Sequence, residues 1–186
     1  DSADAKRALG FMAENPYVYP YLTGREYLQF HAELLGGDDV VPRRRVDEVL
    51  ELVSMAARAD RPMRTCSKGM LQRLSLAQAL LGAPELLILD EPMSGLDPVG
   101  MNVMRDVMVD LSRRGSTIVL SSHQMDTVER LCERVALINK GEKVLDGSVS
   151  EVRDRHGKNT LILAFDGDGS FLSSLPGVAK VSDFGQ

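Results

Sequence analysis

Tryptophan is missing from the 186 residues, cysteine occurs only twice, and aromatic side chains make up just 5% of the chain. The two thiols, Cys66 and Cys132, lie far apart with no repeated spacing. That pattern points away from a disulfide framework or a zinc site and makes a reducing cytosol the default compartment. No apolar run approaches the roughly 20 residues needed to cross a bilayer, and the opening DSADAKR does not resemble a secretory signal. Any membrane role therefore runs through a partner. Positive charge is also short: 22 basic side chains stand against 27 acidic ones, a net charge of -5, which argues against nucleic acid as a partner held by bulk charge. The absence of an initial Met suggests a chain that starts inside a longer protein. What remains, 44% apolar and 26% charged, is the profile of one globular domain with a real core and a small appendage.

The first half reads as helices. PYVYPY, from Pro16 to Tyr21, is an extended loop, and Thr23 with Glu26 has the form of a capping box ahead of a helix carrying Leu28, Phe30, Leu34 and Leu35. Gly36 and Gly37 end it. Pro42 suits the first position of a second helix, in which Val46, Val49, Leu50 and Val53 share a face. After a polar loop containing Pro62, Ser67 caps a long helix with Leu71, Leu74, Ala77, Ala79 and Leu81, closed by Gly82 and Pro84. These three helices follow one another with no strand between them.

The pattern changes at Leu86. Leu86 to Leu89 is a short apolar run, Asp97-Pro98 starts a helix striped by Val103, Met104, Val107, Met108 and Leu111, and STIVLSSH follows Gly115. A helix over Met125 to Cys132 and the run RVALIN come next. Strands buried on both faces and alternating with helices predict a parallel α/β sheet. NKGE reads as a turn and KVLDG as a return strand. Beyond about Ser148, a short helix, the strand TLILAF, a Gly-Asp-Gly turn and GVAKVS suggest a small appended βαβ-like unit.

In parallel sheets functional side chains stand at the carboxyl ends of strands. Asp90, Glu91 and His123 all fall there. Two successive acids suit nucleotide hydrolysis, because one carboxylate can hold Mg²⁺, usually through its water shell, while the next orients or deprotonates an attacking water. Taken one at a time these residues also fit a plainer reading, in which Asp90-Glu91 ends a strand ahead of Pro92 and His123 is a polar strand end.

Order decides between the readings. CSKGMLQRLSLAQALLGAPELLILDEPMSGLDPVG followed by IVLSSH closely resembles the nucleotide-binding domain of ATP-binding-cassette (ABC) proteins, most of all the drug- or sodium-export (ABC-2) type. In that family an LSGGQ-like signature opens a helix, a Walker B strand ends in Asp-Glu, and a D-loop and a switch His follow. The resemblance covers roughly residues 1–147 and implies a P-loop NTPase-like parallel sheet with an α-helical subdomain at about 15–82 and a small C-terminal α+β extension at 148–186. It makes Asp90 the magnesium residue, Glu91 the catalytic base, His123 the switch residue at the γ-phosphate and Asp97 a D-loop residue. Glu14 falls where the family's Q-loop residue is expected, usually Gln. Ser67, Lys68 and Gly69 form the nucleotide-facing signature, with Lys68 and Met70 in place of the usual Gly and Gln. A helix N-terminus bearing a hydroxyl and free N–H groups attracts an anion, so Ser67 and Gly69 preserve the signature's chemistry and Lys68 adds a cation.

The resemblance also exposes one more absence. Walker A, GxxxxGK[ST], has no match here; GKNT at Gly157 to Thr160 is nearest and lacks the upstream Gly. Without that cradle the chain is expected to bind ATP weakly by itself, with the parent protein acting as the ATPase. The resemblance implies ATP and Mg²⁺ as cofactors, a second ATP-binding domain and a transmembrane permease subunit as partners, and a place on the cytoplasmic face of the membrane. All four tyrosines, Tyr17, Tyr19, Tyr21 and Tyr27, fall in one short stretch that would face the permease. The alternatives are a soluble ABC-type ATPase and a non-catalytic regulatory cassette fragment.

Overall fold

Gly10 sits where nothing larger fits: a Cβ there would stand 2.5 Å from the Ala79 carbonyl oxygen. It belongs to β1 (Leu9–Met12), and the close approach lets that strand lie against the end of a helix. The computed structural model describes residues 8–156, 169–178 and 180–181. β1 carries little sequence signal, being four residues long with a central Gly and no β-branched residue. The expectation of three helices with no strand among them holds from Thr23 onward, but β1 precedes them.

The helices are α1 (Gly24–Leu35), α2 (Arg43–Leu52) and α3 (Lys68–Ala79). Thr23 and Glu26 form the expected capping box, with bonds of 3.1 and 2.8 Å. α1 buries Tyr27, Leu28 and Ala32, whereas Phe30 and Leu34 point outward. Pro42 is the N-cap of α2 and not its first residue, because its ψ of 143° is still extended. Arginines stitch these helices together: Arg45 donates to the Leu80 carbonyl at the end of α3, and Arg73 to the Val53 and Ser54 carbonyls at the end of α2. Arg25 on α1 pairs with Asp47 on α2 and, at 2.8 Å, with Asp60.

β2 (Leu86–Leu89), α4 (Pro98–Arg113), β3 (Thr117–Leu120) and α5 (Met125–Leu131) complete the first unit. The sheet order is β1-β2-β3, all parallel, with Leu9 opposite Leu86 and Leu86 opposite Thr117. Met12, Leu87 and Leu89 point to the buried face with the cores of α3 and α4. The opposite face differs from the sequence expectation of strands covered on both sides. Leu9, Phe11 and Val119 are exposed there, and Leu86 and Ile88 are only half-buried. Period-two alternation was hidden in these strands, since both faces carry apolar residues.

By its contacts the chain divides into two compact units, Asp1–Val135 and Ala136–Gln186, a boundary upstream of the one expected near residue 147. It falls inside β4 (Arg134–Asn139), which pairs with β5 (Glu142–Ser148) and not with β3. Lys140 and Gly141 both take positive φ, 51° and 81°, the signature of a tight two-residue hairpin turn. α6 (Val149–His156) and a 3₁₀ turn at Ser170–Ser174 follow. The expected strand TLILAF lies outside the described residues, and Gly177, Val178, Lys180 and Val181 form no strand.

Candidate active site

The parallel register carries Asp90, the residue after β2, to the same level as Ser121, the residue after β3. Asp90 N–H donates to the Met12 carbonyl at 2.8 Å, and Ser121 N–H to the Leu89 carbonyl at 2.9 Å, so the ladder continues one residue beyond each strand. The Ser121 hydroxyl donates to Asp90 Oδ1 at 2.6 Å and accepts from the Glu91 N–H at 2.9 Å. Glu91 therefore turns sharply, with φ of 47°, in the left-handed region that costs a non-glycine residue about 1 kcal/mol. The turn aims its carboxylate at His123, whose Nδ1 lies 2.9 Å from Glu91 Oε1. The Glu91 side chain is 20% exposed and that of His123 73%, so the pair stands at a rim that solvent reaches from the imidazole side.

A second group surrounds the turn after Glu91. Ser94 N–H donates to the Glu91 carbonyl at 3.0 Å, and the Lys68 ammonium reaches the Ser94 hydroxyl at 3.4 Å. A Cβ on Gly69 would meet Leu96 at 3.3 Å, so the start of α3 rests directly on this turn. Ser67 is the N-cap of α3, its hydroxyl accepting from Met70 N–H at 3.3 Å. Asp97 is the N-cap of α4, its Oδ1 accepting from Gly100 N–H at 2.7 Å, with Pro98 at the first helical position.

Glu14 stands apart from both groups. Its carbonyl accepts from Gln72 Nε2 at 2.8 Å. Its carboxylate takes no hydrogen bond among the described residues.

Thus the structure brings Asp90, Glu91 and His123 into one cluster. It places Ser67, Lys68, Gly69 and Asp97 around the neighbouring turn and holds Glu14 by its backbone. Two contributors carry no role in the sequence reading. Ser121 is visible there only as a hydroxyl two residues before His123. Gln72 stands in line with Ser75, Leu76 and Ala79 on a buried face of α3, and a polar residue in such a stripe is a signal in itself. Cys66 and Cys132 are free thiols, both pushed up by burial, so neither is an activated nucleophile.

Among the described residues, no group of three or more His, Cys, Asp or Glu side chains is arranged to hold a metal ion by itself. The donor set at this rim is one exposed carboxylate steadied by a hydroxyl, which suits an ion that keeps water and phosphate oxygens in most of its shell and does not suit an all-protein cage.

A three-stranded parallel sheet that delivers two acids and an imidazole to one rim, beside a serine-capped helix, defines an α/β domain of the nucleotide-binding class. The sequence model of the ABC transporter family matches residues 1–94. An uncharacterised ABC transporter ATP-binding protein of Nostoc sp. is 47% identical over 79% of this chain and 44% of its own length. The linearmycin resistance ATP-binding protein LnrL of Bacillus subtilis is 35% identical over 98% of this chain and 60% of its own. A solved structure, of the ATP binding subunit of an ABC transporter, superposes with a TM-score of 0.73 at 29% identity, covering 84% of this chain and 65% of that one. The chain belongs to the ABC transporter family, and it spans about half the length of the curated relatives it matches.

Proposed function

We propose that this chain is part of the ATP-binding subunit of an ABC transporter of the drug- or sodium-export type, and that the whole protein hydrolyses ATP clamped between two such subunits. The observation that carries this reading is the Glu91–His123 pair at 2.9 Å beside Asp90, on neighbouring strand ends. Asp90 would hold Mg²⁺ mainly through water, and the ion would neutralise charge on the β- and γ-phosphate oxygens. Glu91 accepts the proton of the attacking water. His123 holds Glu91 through Nδ1, at the strand end that would face the γ-phosphate.

Ser67 and Gly69 present a hydroxyl and backbone N–H groups to a phosphate bound by the second subunit, and Lys68 adds a cation to that side. Asp97, capping α4 next to this helix start, lies where the two copies would communicate. In this reading the phosphate-binding loop is carried by residues outside this sequence. Among the described residues, β3 pairs with no second strand and Leu9, Phe11 and Val119 stay exposed on one sheet face, which leaves room for the strand and helix that would bring it.

Residues 15–82 act as the helical subdomain, with the Glu14 loop and its tyrosines facing a transmembrane permease at the cytoplasmic membrane surface. Tyr17 and Tyr21 are 80% and 85% exposed, as a docking face requires, whereas Tyr27 is buried in the subdomain's own core. No described helix is long and apolar enough to cross a membrane. Residues 148–186, within the second compact unit Ala136–Gln186, are assigned to an accessory extension.

Glu91→Gln in the full-length protein tests the reading. It is expected to accumulate an ATP-bound dimer with hydrolysis abolished, seen by size-exclusion chromatography with ATP. Normal turnover removes Glu91 from the base role. For the 186-residue chain alone, calorimetric titration with ATP is expected to show little binding, and micromolar affinity would overturn the assignment of the phosphate cradle to other residues.

A further inference from the structure

Gln72 is fully buried, with 0% of its surface exposed, in the second turn of α3. Its Nε2 donates to the Glu14 carbonyl at 2.8 Å, across 58 positions of sequence. Its Oε1 finds no hydrogen-bond donor among the described residues. A buried carboxamide satisfied on one side only is a poor device for stability, because the orphaned acceptor offsets much of what the single bond contributes. A residue of that kind, set in a stripe of Ser75, Leu76 and Ala79, is better explained by what it holds in place.

What it holds is specific. One end of the link is the helix whose start carries Ser67, Lys68 and Gly69. The other is the peptide group between Glu14 and Asn15, from which the chain runs into Pro16 and the exposed Tyr17, Tyr19 and Tyr21. Farther along, that segment is fixed by Met63 N–H donating to the Leu22 carbonyl at 2.8 Å and Arg64 N–H to the Pro20 carbonyl at 3.1 Å. Both of those contacts fall in the loop just before α3. Among the described residues, Gln72 thus supplies the side-chain hydrogen bond that ties the beginning of the tyrosine segment to the body of α3.

We propose that Gln72 is a positioning residue: its Nε2 bond to the Glu14 carbonyl makes the start of α3 and the segment from Glu14 to Tyr21 move as one unit. The proposal rests on the functional reading above only in naming what the two ends do, phosphate contact at α3 and partner contact at the tyrosines. A shift of α3 on meeting the second subunit's nucleotide is then carried to the docking face without passing through the sheet.

The bond lies on the Glu14–Asn15 peptide itself, so a glutamate-specific protease reads it directly in the native 186-residue chain. Gln72→Met keeps the length and removes the carboxamide. It is expected to leave Tm unchanged or slightly raised while cleavage after Glu14 accelerates about three- to tenfold, the factor for one lost net hydrogen bond. Cleavage after Glu26, Glu33, Glu48 and Glu51 serves as the internal control and is expected to stay constant. Gln72→Asn keeps the amide but is one methylene too short, and is expected to accelerate the same cut. With no Trp in the chain and every Tyr between residues 17 and 27, acrylamide quenching of intrinsic tyrosine emission gives a second readout, rising in both variants. Unchanged cleavage after Glu14 in Gln72→Met overturns the proposal. So does a lowered Tm with faster cleavage at all five sites, which is a structural role alone. None of these measurements uses nucleotide, so their failure counts against Gln72 and leaves the ATPase reading to Glu91→Gln.

Discussion

The Ser121 hydroxyl stands 2.6 Å from Asp90 Oδ1 and donates to it, which fixes the rotation of the carboxylate assigned to the metal. The same oxygen accepts the Glu91 N–H at 2.9 Å. Ser121→Ala breaks both bonds at once. ATPase activity of the full-length protein is expected to fall at least about tenfold, the usual result of losing an outer-shell partner of a metal ligand, whereas Ser121→Thr keeps the hydroxyl and most of the rate. Phosphate release in steady state checks it, and full activity in the Ala variant would mean that Asp90 needs no such support.

Asp97 has two possible duties that one pair of variants separates. Its Oδ1 caps α4 through Gly100 N–H. Asp97→Ala is expected to destabilise the chain by about 1 kcal/mol, and Asp97→Asn, an equally good cap, by only a few tenths. Urea unfolding measures this. If Asn restores stability yet leaves nucleotide-driven dimerisation impaired, the charge itself acts between subunits; full recovery of both would reduce Asp97 to a cap.

Much of this arrangement is legible in the sequence. The capping box at Thr23 and Glu26, the serine cap at Ser67 and the Asp97-Pro98 helix start each rest on local hydrogen bonding, which sequence spacing specifies directly. The site cluster is legible for a different reason: three residues at two strand ends are readable as chemistry because their order matches a family. What escaped was non-local. β1 is short and interrupted by Gly10, whose necessity comes from the Ala79 carbonyl in a distant helix. Ser121 and Gln72 act on partners 31 and 58 positions away, and only strand register and helix packing bring those together.

Acid should weaken the protein through His31. The ring is half-buried, edge-on to Tyr27 at 4.6 Å and Phe30 at 5.5 Å, and burial holds its pKa below the ordinary value. The neutral ring is therefore favoured in the folded state. As pH drops through the ordinary histidine value, about 6.5, the unfolded chain takes up a proton that the folded chain refuses, and stability declines until the folded value is passed. Above that window His31 contributes nothing to the pH slope. Tm recorded between about pH 7.5 and 5.5 is expected to fall less in His31→Phe than in the parent chain, and equal slopes would count against the assignment. Glu26 acts lower: its capping bonds with Thr23 depress its pKa, so its contribution is present above the ordinary carboxylate range and lost as pH falls through it.

Tyr17 and Tyr21 offer the most direct probe of the docking face. Both are exposed, so Tyr17→Ala and Tyr21→Ala are expected to shift stability by no more than about 0.5 kcal/mol. Tyr27→Ala, in the core, is expected to lose about 3 kcal/mol or more. If the exposed pair meets a permease, transport per ATP hydrolysed drops in both of those variants with the fold intact. Preserved coupling would return the tyrosines to the subdomain's own packing.

The bare side of the sheet bears on how this polypeptide behaves in a test tube. Leu9, Phe11 and Val119 form a greasy flank, and β3 ends the sheet with backbone groups that no described strand satisfies. Such a flank captures hydrophobic dyes and invites strands from neighbouring molecules to add on. Concentrated solutions of the isolated polypeptide should therefore brighten anilinonaphthalene dyes and drift toward assemblies of irregular size, and a charged residue at Val119 should keep them dispersed.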